Sequence, residues 1–579
     1  MFQRTICCLF LASLACTSKS NSGTGGPGAG SGGTAGAGAS SGTGASMNAT
    51  GGSAGGSVAG TGGSGTSGAG VGGSGTSGSG TSGSAGAVAS GNSVLERNNH
   101  PSRDGNYLQP TLTKATAAKM ATDTGFAATF TGSMRASTLY LENGPGGKGI
   151  YIAATTGNDV IAFDETTGKV VWTKNIGSSP TMNGVSCGDI HPLGIISTPV
   201  IDAQARTVYV AGAIGMTSIT AHQVHALSVD DGTERTGGWP VDVAKAASGA
   251  VTFTPSAQNQ RTALSLVGGV LYVGYGGHNG DCGTYHGWVV AVNAANPAMT
   301  GAWATSGEGD AIWAAGGFAS DGNGVFAITG DNHPRLTNHL DSEEVIRVTG
   351  LATTDHTNQN LFYPTTWHDM DNSDADFGAN SPVYIEVPDA AGGTTRTYVV
   401  AITKDGHLFL LDSKNLGGMG GQIADLTVST GGAMIVHTVP AAYNTAQGTH
   451  VTFTTNSGAQ CPAGGPSGRV VMSVLIPAGA SPTPRVVWCA AIQSAGGTQT
   501  GAGFNLPAAP MATTTDGTSE AMVWFMSAGK LTAVDGDTGA VLYTSSDTCA
   551  GIRQWTAPIA VKGHIVVGAD AHLCSWSAH

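Results

Sequence analysis

The chain has 579 residues and a formal net charge of −13, with only 11% charged residues. An acidic and sparsely charged chain does not attract the phosphate backbone, so nucleic acid is excluded as a partner. Small molecules, sugars and proteins remain as candidate partners.

The first residues predict an export signal over residues 1–15. Arg4 precedes an apolar run from Ile6 to Leu14, which is too short to span a bilayer. The sequence Ser13-Leu-Ala-Cys16 resembles a bacterial lipobox, in which the chain is cleaved before Cys16 and lipid is attached to its sulfur. Ser13 departs from the Leu preferred there, and a plain secretory signal is the alternative. We expect a lipoprotein of the outer membrane or cell surface, held to the membrane through its lipid anchor only.

Residues 16–95 are predicted to form a flexible tether. From Ser20 to Leu95 there is no charged and no aromatic residue, and Gly, Ser, Ala and Thr dominate. Such a segment buries too little apolar surface to offset the entropy lost on ordering. Roughly 480 residues then remain for a core, a length at which most of the unfolded chain's surface can be buried.

The cysteine content predicts disulfides. Of nine cysteines, two lie in the signal and one is the lipidation site, which leaves six. An even number in an exported chain favours disulfides, and sequence neighbours are the favoured pairs. The expected bridges are Cys461–Cys489, Cys549–Cys574 and Cys187–Cys282.

Short alternating strands separated by turns recur along residues 137–579. The opening unit, from Gly147 to Ile176, has three such strands joined by Gly-Asn and Glu-Thr-Thr-Gly turns. Four short strands every 40 to 60 residues or so predict the blades of an all-β propeller. We count about eight blades, with seven as the fallback. In the entry segment, residues 96–136, a strand near Phe126 is expected to complete the last blade and close the ring.

One motif carries a family resemblance. Residues Ala162 to Trp172, AFDETTGKVVW, resemble the repeat of pyrroloquinoline quinone (PQQ) propellers, the quinoprotein dehydrogenase superfamily. The resemblance implies that Gly168 and Trp172 dock one blade against the next. Gly539 and Tyr543 match the same positions, with Tyr543 in place of Trp.

The resemblance also implies a set of functional parts. Enzymes of this superfamily hold PQQ in the central channel with a calcium ion, a stacking Trp, usually a vicinal disulfide, and an Asp as base. The only vicinal cysteines in this sequence, Cys7 and Cys8, lie in the signal, and no CxxCH haem motif occurs. A calcium-binding set is not recognisable by motif. The cofactor is therefore unknown, and PQQ with calcium lacks the expected motifs.

Polar residues near the start of the innermost strands are the candidates for lining the channel. Cations beside Trp and carboxylates would suit an anionic or sugar-like ligand, and water-binding polar side chains are the alternative. The candidates are His191, Arg261, Trp313, Asp331, Lys404 and Gln554.

Two local clusters could bind a metal. His278, Asp281 and His286 share one loop, whose alternative is a disulfide-pinned loop that bonds its own backbone. The second cluster could offer oxygen ligands to calcium, and a solvated acidic turn is its alternative. Its members are Asp369, Asp371, Asp374 and Asp376.

Two functions stay open at this stage. The favoured hypothesis is a monomeric, lipid-anchored propeller that binds a small molecule, a sugar or a protein at its channel mouth without catalysis. The alternative is a PQQ- and calcium-dependent dehydrogenase of alcohols or sugars with a diverged site.

Overall fold

A computed structural model describes residues 91–578, apart from residues 186, 248, 250, 334, 336, 389–393, 431–438, 480 and 494–508. The predicted signal, Cys16 and the tether up to residue 90 lie outside the described residues. Within the described part, no helix is long and apolar enough to cross a membrane.

Eight sheets form the eight blades of a propeller ring, which confirms the predicted fold and the higher blade count. In each blade, successive strands pair antiparallel from the channel outward. The first, innermost strands of blades 1 to 8 are Leu139–Leu141, Val200–Asp202, Ser265–Val267, Ala319–Ser320, Val383–Val387, Ala441–Thr445, Met511–Thr514 and Ile559–Val561.

The other strands follow the same order. The second strands are Ile150–Ala154, Thr207–Gly215, Val270–Tyr275, Val325–Ile328, Arg396–Ile402, Gly448–Thr455, Met522–Ser527 and His564–Ala569. The third strands are Asp159–Asp164, Ile219–Ser228, Trp288–Asn293, Val345–Val348, His407–Asp412, Val470–Ile476, Lys530–Asp535 and His572–Ala578. The outermost strands are Val170–Asn175, Val241–Asp242, Thr300–Ala304, Leu361–Tyr363, Ala424–Thr427, Arg485–Ala491, Val541–Thr544 and Met120–Thr122.

A few short elements complete the described chain. Strand Gly418–Met419 extends blade 4 at its outer edge, and strand Asn106–Leu108 pairs parallel with the innermost strand of blade 7. The α-helices are Lys114–Ala117, Val243–Ala246 and Trp367–Ser373, and the 3₁₀ helices are Pro145–Gly147 and Pro255–Ala257.

The opening unit folds as its pattern predicts. All five residues of Ile150–Ala154 are buried, and this strand pairs with Asp159–Asp164. Asp164 Oδ1 accepts the backbone N–H of Thr167 at 2.9 Å, and Gly168 takes a φ of 70°. The side-chain bond and the positive φ are what a bulged hairpin needs at these positions.

Glycine and tryptophan meet between neighbouring blades. Trp172 of blade 1 donates from its indole N–H to the Val229 carbonyl at 2.9 Å, and a Cβ at Gly232 would lie 2.7 Å from its ring. In the same way, Trp488 of blade 6 lies against Gly539 of blade 7. Gly168 contacts the backbone of Ala127, which joins blade 1 to the entry segment.

The last blade is closed by an N-terminal strand, but not by the segment predicted for it. Strand Met120–Thr122 pairs with His572–Ala578, six residues before Phe126. The Phe126 segment contributes a single bridge, between Thr129 and His572. The ring of Phe126 instead packs edge-on against Tyr151 of blade 1, at 5.5 Å between centroids. Its apolar side chain therefore covers a blade interface rather than extending the sheet.

The chain from Val94 to Gln109, here called the channel segment, runs along the inner edges of the blades. It includes Val94 and Leu95, which the composition had assigned to the tether. One hydrogen bond to each of blades 1 to 8 illustrates its path: Val94 N to Tyr140 O, Ile201 N to Leu95 O, Arg103 Nη2 to Leu264 O, Ser320 N to Pro101 O, Tyr384 N to Ser102 O, Ala442 N to Asp104 O, Ala512 N to Gly105 O and Gln109 Nε2 to Ala560 O. The segment therefore fills the channel at this level.

Three disulfides confirm the predicted pairing. They join Cys187 to Cys282, Cys461 to Cys489, and Cys549 to Cys574. The last of them ties the connection between blades 7 and 8 to the strand that pairs with Met120–Thr122.

Candidate functional site

Two tryptophans and two arginines meet in the channel, just before the innermost strands of blades 1, 3, 4 and 8. The guanidinium of Arg261 lies 5.5 Å from the ring centroid of Trp313 and 5.0 Å from that of Trp555. Arg135 lies 5.3 Å from the Trp555 ring. Aromatic faces and guanidinium groups of this kind can stack on a planar ligand and pair with its carboxylates.

Hydrogen bonds hold these side chains in place. The Trp313 indole N–H donates to the Gly277 carbonyl at 3.0 Å, and Arg261 Nε donates to the Trp313 carbonyl at 2.9 Å. Arg97 of the channel segment donates to the Trp555 carbonyl. The channel segment therefore contacts this site from one side and forms its floor.

Three carboxylates and a lysine form the second half of the site. Asp331, Asp374 and Asp376 each offer an oxygen, and these atoms lie within 4.8 Å of one another. Asp331 follows the second strand of blade 4, Asp374 ends helix Trp367–Ser373, and Asp376 precedes blade 5. Lys404 Nζ lies 2.5 Å from Asp374 Oδ1 and 2.5 Å from Asp376 Oδ2.

Negative charge exceeds positive charge among these buried groups. Burial raises the pKa of Asp376 to about 7, although Lys404 acts in the opposite direction. Burial also raises the pKa of Glu343 well above its ordinary value, and Asp376 and Asp331 raise it further. Although burial opposes this, Asp376 and Asp374 raise the pKa of Lys404. Four carboxyl groups therefore lie together here, and Lys404 contacts two of them. Burial makes ionisation of Asp376 and Glu343 costly without a further cation.

The donor set fits a cation. Glu343 is fully buried, one of its oxygens accepts the Phe377 N–H at 2.8 Å, and the other, Oε1, has no hydrogen-bond partner. Carboxylate oxygens are the ligands that hard cations take in proteins. Asp331, Asp374 and Asp376 would hold such an ion, with Glu343 as a further buried negative charge. The ion would compete with Lys404 for Asp374 and Asp376.

Other polar side chains border the carboxylates. His333 Nε2 lies 3.3 Å from Asp331 Oδ2 and 3.8 Å from Asp281 Oδ2, and the Asp331 carboxylate raises the pKa of His333. Tyr285 donates its hydroxyl to Asp281 Oδ1 at 2.7 Å. The Cys187–Cys282 disulfide pins the loop that carries Asp281.

Four of the six channel candidates lie in this site: Arg261, Trp313, Asp331 and Lys404. His191 is exposed, and its Nδ1 lies 3.3 Å from the Thr181 carbonyl. Gln554 is half-buried beside Trp555, which is the residue that joins the stack.

The acidic run after Trp367 divides between the site and its surroundings. Asp374 and Asp376 belong to the carboxylate group. Asp371 is buried beside it and accepts hydrogen bonds from Asn332 and Ser342 at 3.2 and 3.1 Å. Asp369 is exposed on the helix.

His278, Asp281 and His286 share a loop without forming a group of metal ligands within the described residues. His286 Nδ1 donates to the Gly307 carbonyl at 2.7 Å, so it is held by its own surroundings. His278 is buried, and neither of its ring nitrogens has a hydrogen-bond partner.

The sequence reasoning missed Arg135, Trp555 and Glu343. Arg135 lies four residues before blade 1's innermost strand, as Arg261 lies four residues before that of blade 3, so the shared offset was a usable signal. The sequence predicted Gln554 as the channel residue, whereas its neighbour Trp555 contacts the arginines. Glu343 lies in a run of acidic residues that resembles an exposed turn.

Comparisons with known proteins agree on the fold. No family model and no curated protein matches the chain. Among solved structures, a quinohemoprotein alcohol dehydrogenase from Pseudomonas putida matches with a TM-score of 0.56 at 13% identity, over 84% of this chain and 80% of that one. The enzyme of the same description from Comamonas testosteroni has a TM-score of 0.55 at 14% identity, again over 84% and 80%.

A europium-containing methanol dehydrogenase is also similar. Its TM-score is 0.51 at 13% identity, over 82% of this chain and 89% of that one. Identities this low show a shared fold and carry no residue roles. The chain therefore shares its propeller fold with these dehydrogenases.

Proposed function

We propose that this chain, which has the propeller fold of the quinoprotein dehydrogenases, is an oxidoreductase of alcohols or sugars that uses a quinone and a cation in its channel. One observation carries the proposal. Three carboxylates, Asp331, Asp374 and Asp376, lie within 4.8 Å of one another in the channel where Trp313 and Arg261 stack. The absence of a recognisable motif had argued against an enzyme, and this arrangement reverses that preference.

The residues divide into two binding roles. Asp331, Asp374 and Asp376 would hold the cation. Trp313 would stack on a planar quinone such as PQQ, and Arg261 and Arg135 would pair with its carboxylates. A bound quinone supplies a two-electron acceptor, which no side chain of the protein can provide.

Asp374 is the best-placed base. Its side chain is 45% exposed, whereas that of Asp376 is fully buried. Lys404 contacts Oδ1 of Asp374. If the cation were held through this same oxygen, Oδ2 would be left to take the proton of a substrate hydroxyl. Lys404 would hold the carboxylate in position and stabilise its negative charge before the transfer.

A non-catalytic binding protein is the second candidate. It is favoured by the cysteine pattern, because all three disulfides of the described chain join cysteines at least 25 residues apart and none is vicinal. The same arginines and tryptophans would then bind an anionic sugar or another anionic small molecule.

Export and anchoring through Cys16 remain part of the proposal. Three disulfides are typical of an oxidising compartment outside the cytosol, where an export signal would deliver the chain.

Cofactor retention distinguishes the two candidates. The purified protein is incubated with PQQ and either Ca²⁺ or Eu³⁺, unbound cofactor is removed, and the visible spectrum and dye-linked oxidation of alcohols and sugars are recorded. We expect retained quinone absorbance and dye reduction. Trp313→Ala should lose the quinone. Asp374→Asn should lose at least about 100-fold in activity because it lacks the general base and one ligand of the cation.

Asp369→Asn is the matched control, since it removes an exposed acid of the same segment outside the carboxylate group. It should keep both quinone and activity. Failure of the wild-type protein to retain quinone would contradict the oxidoreductase and favour the binding protein.

A further inference from the structure

A second group of potential metal ligands lies in blade 4, outside the channel site. Asp341, Glu344 and His356 each offer one ligand atom, and these atoms lie within 4.8 Å of one another. Asp341 and Glu344 precede the third strand of the blade, and His356 lies between that strand and the outermost one. Asp341 and Glu344 are buried, whereas His356 is exposed and leaves the group open to solvent.

Glu344 is the unexplained member of this group. It is 1% exposed, and neither of its carboxylate oxygens has a hydrogen-bond partner. A buried carboxylate without a partner is strongly disfavoured, so its position inside the group calls for a cation.

Asp310 is a second buried carboxyl group of this kind. It is fully buried, and no hydrogen bond of ordinary geometry reaches either of its carboxylate oxygens. It lies close enough to Asp371, Asp341 and Glu344 for their carboxyl groups to act on it electrostatically. Two neighbouring carboxyl groups, those of Glu344 and Asp310, are therefore buried without a hydrogen-bond partner among the described residues.

The hydrogen bonds and ring contacts of this group involve Asp341 and His356 but not the carboxylate of Glu344. Asp341 Oδ2 accepts the Ser306 N–H at 2.8 Å, and Asp341 Oδ1 lies 3.3 Å from His356 Nδ1. The His356 ring also packs against Trp303, at 6.1 Å between centroids. These contacts orient Asp341 and His356, and they provide no partner for Glu344.

We propose that Asp341, Glu344 and His356 bind a divalent transition metal such as Mn²⁺ or Zn²⁺. Calcium takes oxygen ligands only, whereas an imidazole together with carboxylates suits transition metals. Asp310 adds a neighbouring buried carboxyl group that could ionise once a cation is bound. The site shares no residue with the carboxylate group of the channel and does not depend on the proposed oxidoreductase function.

The metal would stabilise the loop that carries Asp331. Thr329 donates its hydroxyl to the Asp341 carbonyl at 2.6 Å, and Asp310 N–H donates to the Asp331 carbonyl at 2.9 Å. The start of the loop between the second and third strands, at Thr329 and Asp331, is thus bonded to Asp341 of the group and to Asp310 beside it. The structure therefore assigns the metal a positioning role for this loop.

Calorimetric titration with Mn²⁺ and with Zn²⁺ tests the site. The full chain carrying Asp374→Asn is used, because this substitution weakens any cation binding in the channel. We expect one binding event that persists in this background. Adding His356→Ala should weaken it at least about tenfold, because one ligand is lost. Glu344→Gln should have the same effect.

His407→Ala is the matched control. His407 is a half-buried histidine whose Nδ1 lies 2.8 Å from Asp425 Oδ1, and it belongs to no group of three ligands among the described residues. In the same background it should leave the binding event unchanged. Because His356 is exposed, its replacement tests the site even if Glu344→Gln fails to fold. Loss of all binding on Asp374→Asn alone, or equal affinity of the His356→Ala and His407→Ala proteins, would overturn the proposal.

Discussion

The buried side chain of His222 is kept uncharged by its surroundings. His222 in blade 2 is 1% exposed, and its Nε2 lies 3.1 Å from the Pro255 carbonyl and 3.0 Å from that of Gln258. Phe253 and Tyr275 face its ring edge-on. Burial lowers the pKa of His222 to about 4 from its ordinary value of 6.5. The folded protein therefore holds this imidazole neutral where the unfolded chain would protonate it.

His222 should make stability depend on pH between about 6.5 and 4. In this window the unfolded state binds the proton and the folded state does not, so the stabilisation is complete above pH 6.5 and is lost as the pH falls to 4. Between pH 6.5 and the lower pH of the measurement, 4.5, His222 should lower the free energy of unfolding by about 2 to 3 kcal/mol, at about 1.4 kcal/mol per pKa unit. His222→Gln keeps a donor for the two carbonyls and should lack this pH-dependent loss of stability. Urea unfolding at pH 7 and pH 4.5 measures it, and an equal loss in both proteins would refute the assignment.

At the scale of elements, hairpin turns do more than reverse the chain. The turn after Asp159–Asp164 places Gly168 so that a Cβ there would lie 2.4 Å from Ala128 N and 2.7 Å from Ala127 C. The entry segment can approach blade 1 only because this position has no side chain. Gly168 thus serves the turn through its φ of 70° and the blade contact through its size.

Comparing two glycines separates these contributions. Gly146 has a φ of 66°, close to that of Gly168, and a Cβ added there would meet nothing within 4 Å. Gly146→Ala should cost about 1 kcal/mol, because it adds only the strain of a positive φ. Gly168→Ala adds a clash with backbone and should cost at least about 2 kcal/mol more, by analogy with overpacked cores. Chemical unfolding measures both changes, and equal losses would show that the close approach of Ala127 and Ala128 is not needed.

At the scale of the whole molecule, the channel segment connects all eight blades. Arg103 is its anchor: it is fully buried, donates to the carbonyls of Phe318, Arg97 and Leu264, and pairs with Glu96 at 2.9 Å. The adjoining strand Met120–Thr122 then closes the ring. The N-terminal chain therefore contributes both the floor of the candidate site and the closure of the propeller.

Removing the channel segment should destabilise the whole ring. A protein that begins at residue 91 is compared with one that begins at residue 110, which keeps the closing strand Met120–Thr122. The shorter protein leaves several buried acceptors unpaired, each costing about 1 to 3 kcal/mol, so we expect it to lose at least 5 kcal/mol or fail to fold. Scanning calorimetry and expression yield measure the difference. A melting temperature within a few degrees of the longer protein would show that the segment is dispensable.

The sequence alone predicted the propeller architecture, about eight blades with seven as the fallback, and the favoured disulfide pairs, all of which the structure confirms. Alternating strands, turn glycines and the blade-docking motif around Gly168 and Trp172 are local patterns, and local patterns survive in a linear sequence. Even so, Met120–Thr122 and the channel segment were missed. Both are short and pair with strands hundreds of residues away, so nothing in their own residues marks them.

The candidate site was decided by tertiary structure. Trp313, Asp331 and Lys404 were predicted as residues near the start of innermost strands. The structure places Asp331 and Lys404 instead just after second strands, which end at the same channel. Which of them meet depends on the closed ring, because the site combines residues of blades 1, 3, 4, 5 and 8. The division of the acidic run also needed the fold: helix Trp367–Ser373 leaves Asp369 in solvent and sends Asp374 to the channel. The sequence gives the chemical type of each side chain, whereas residues far apart in the chain come close together only when the propeller closes.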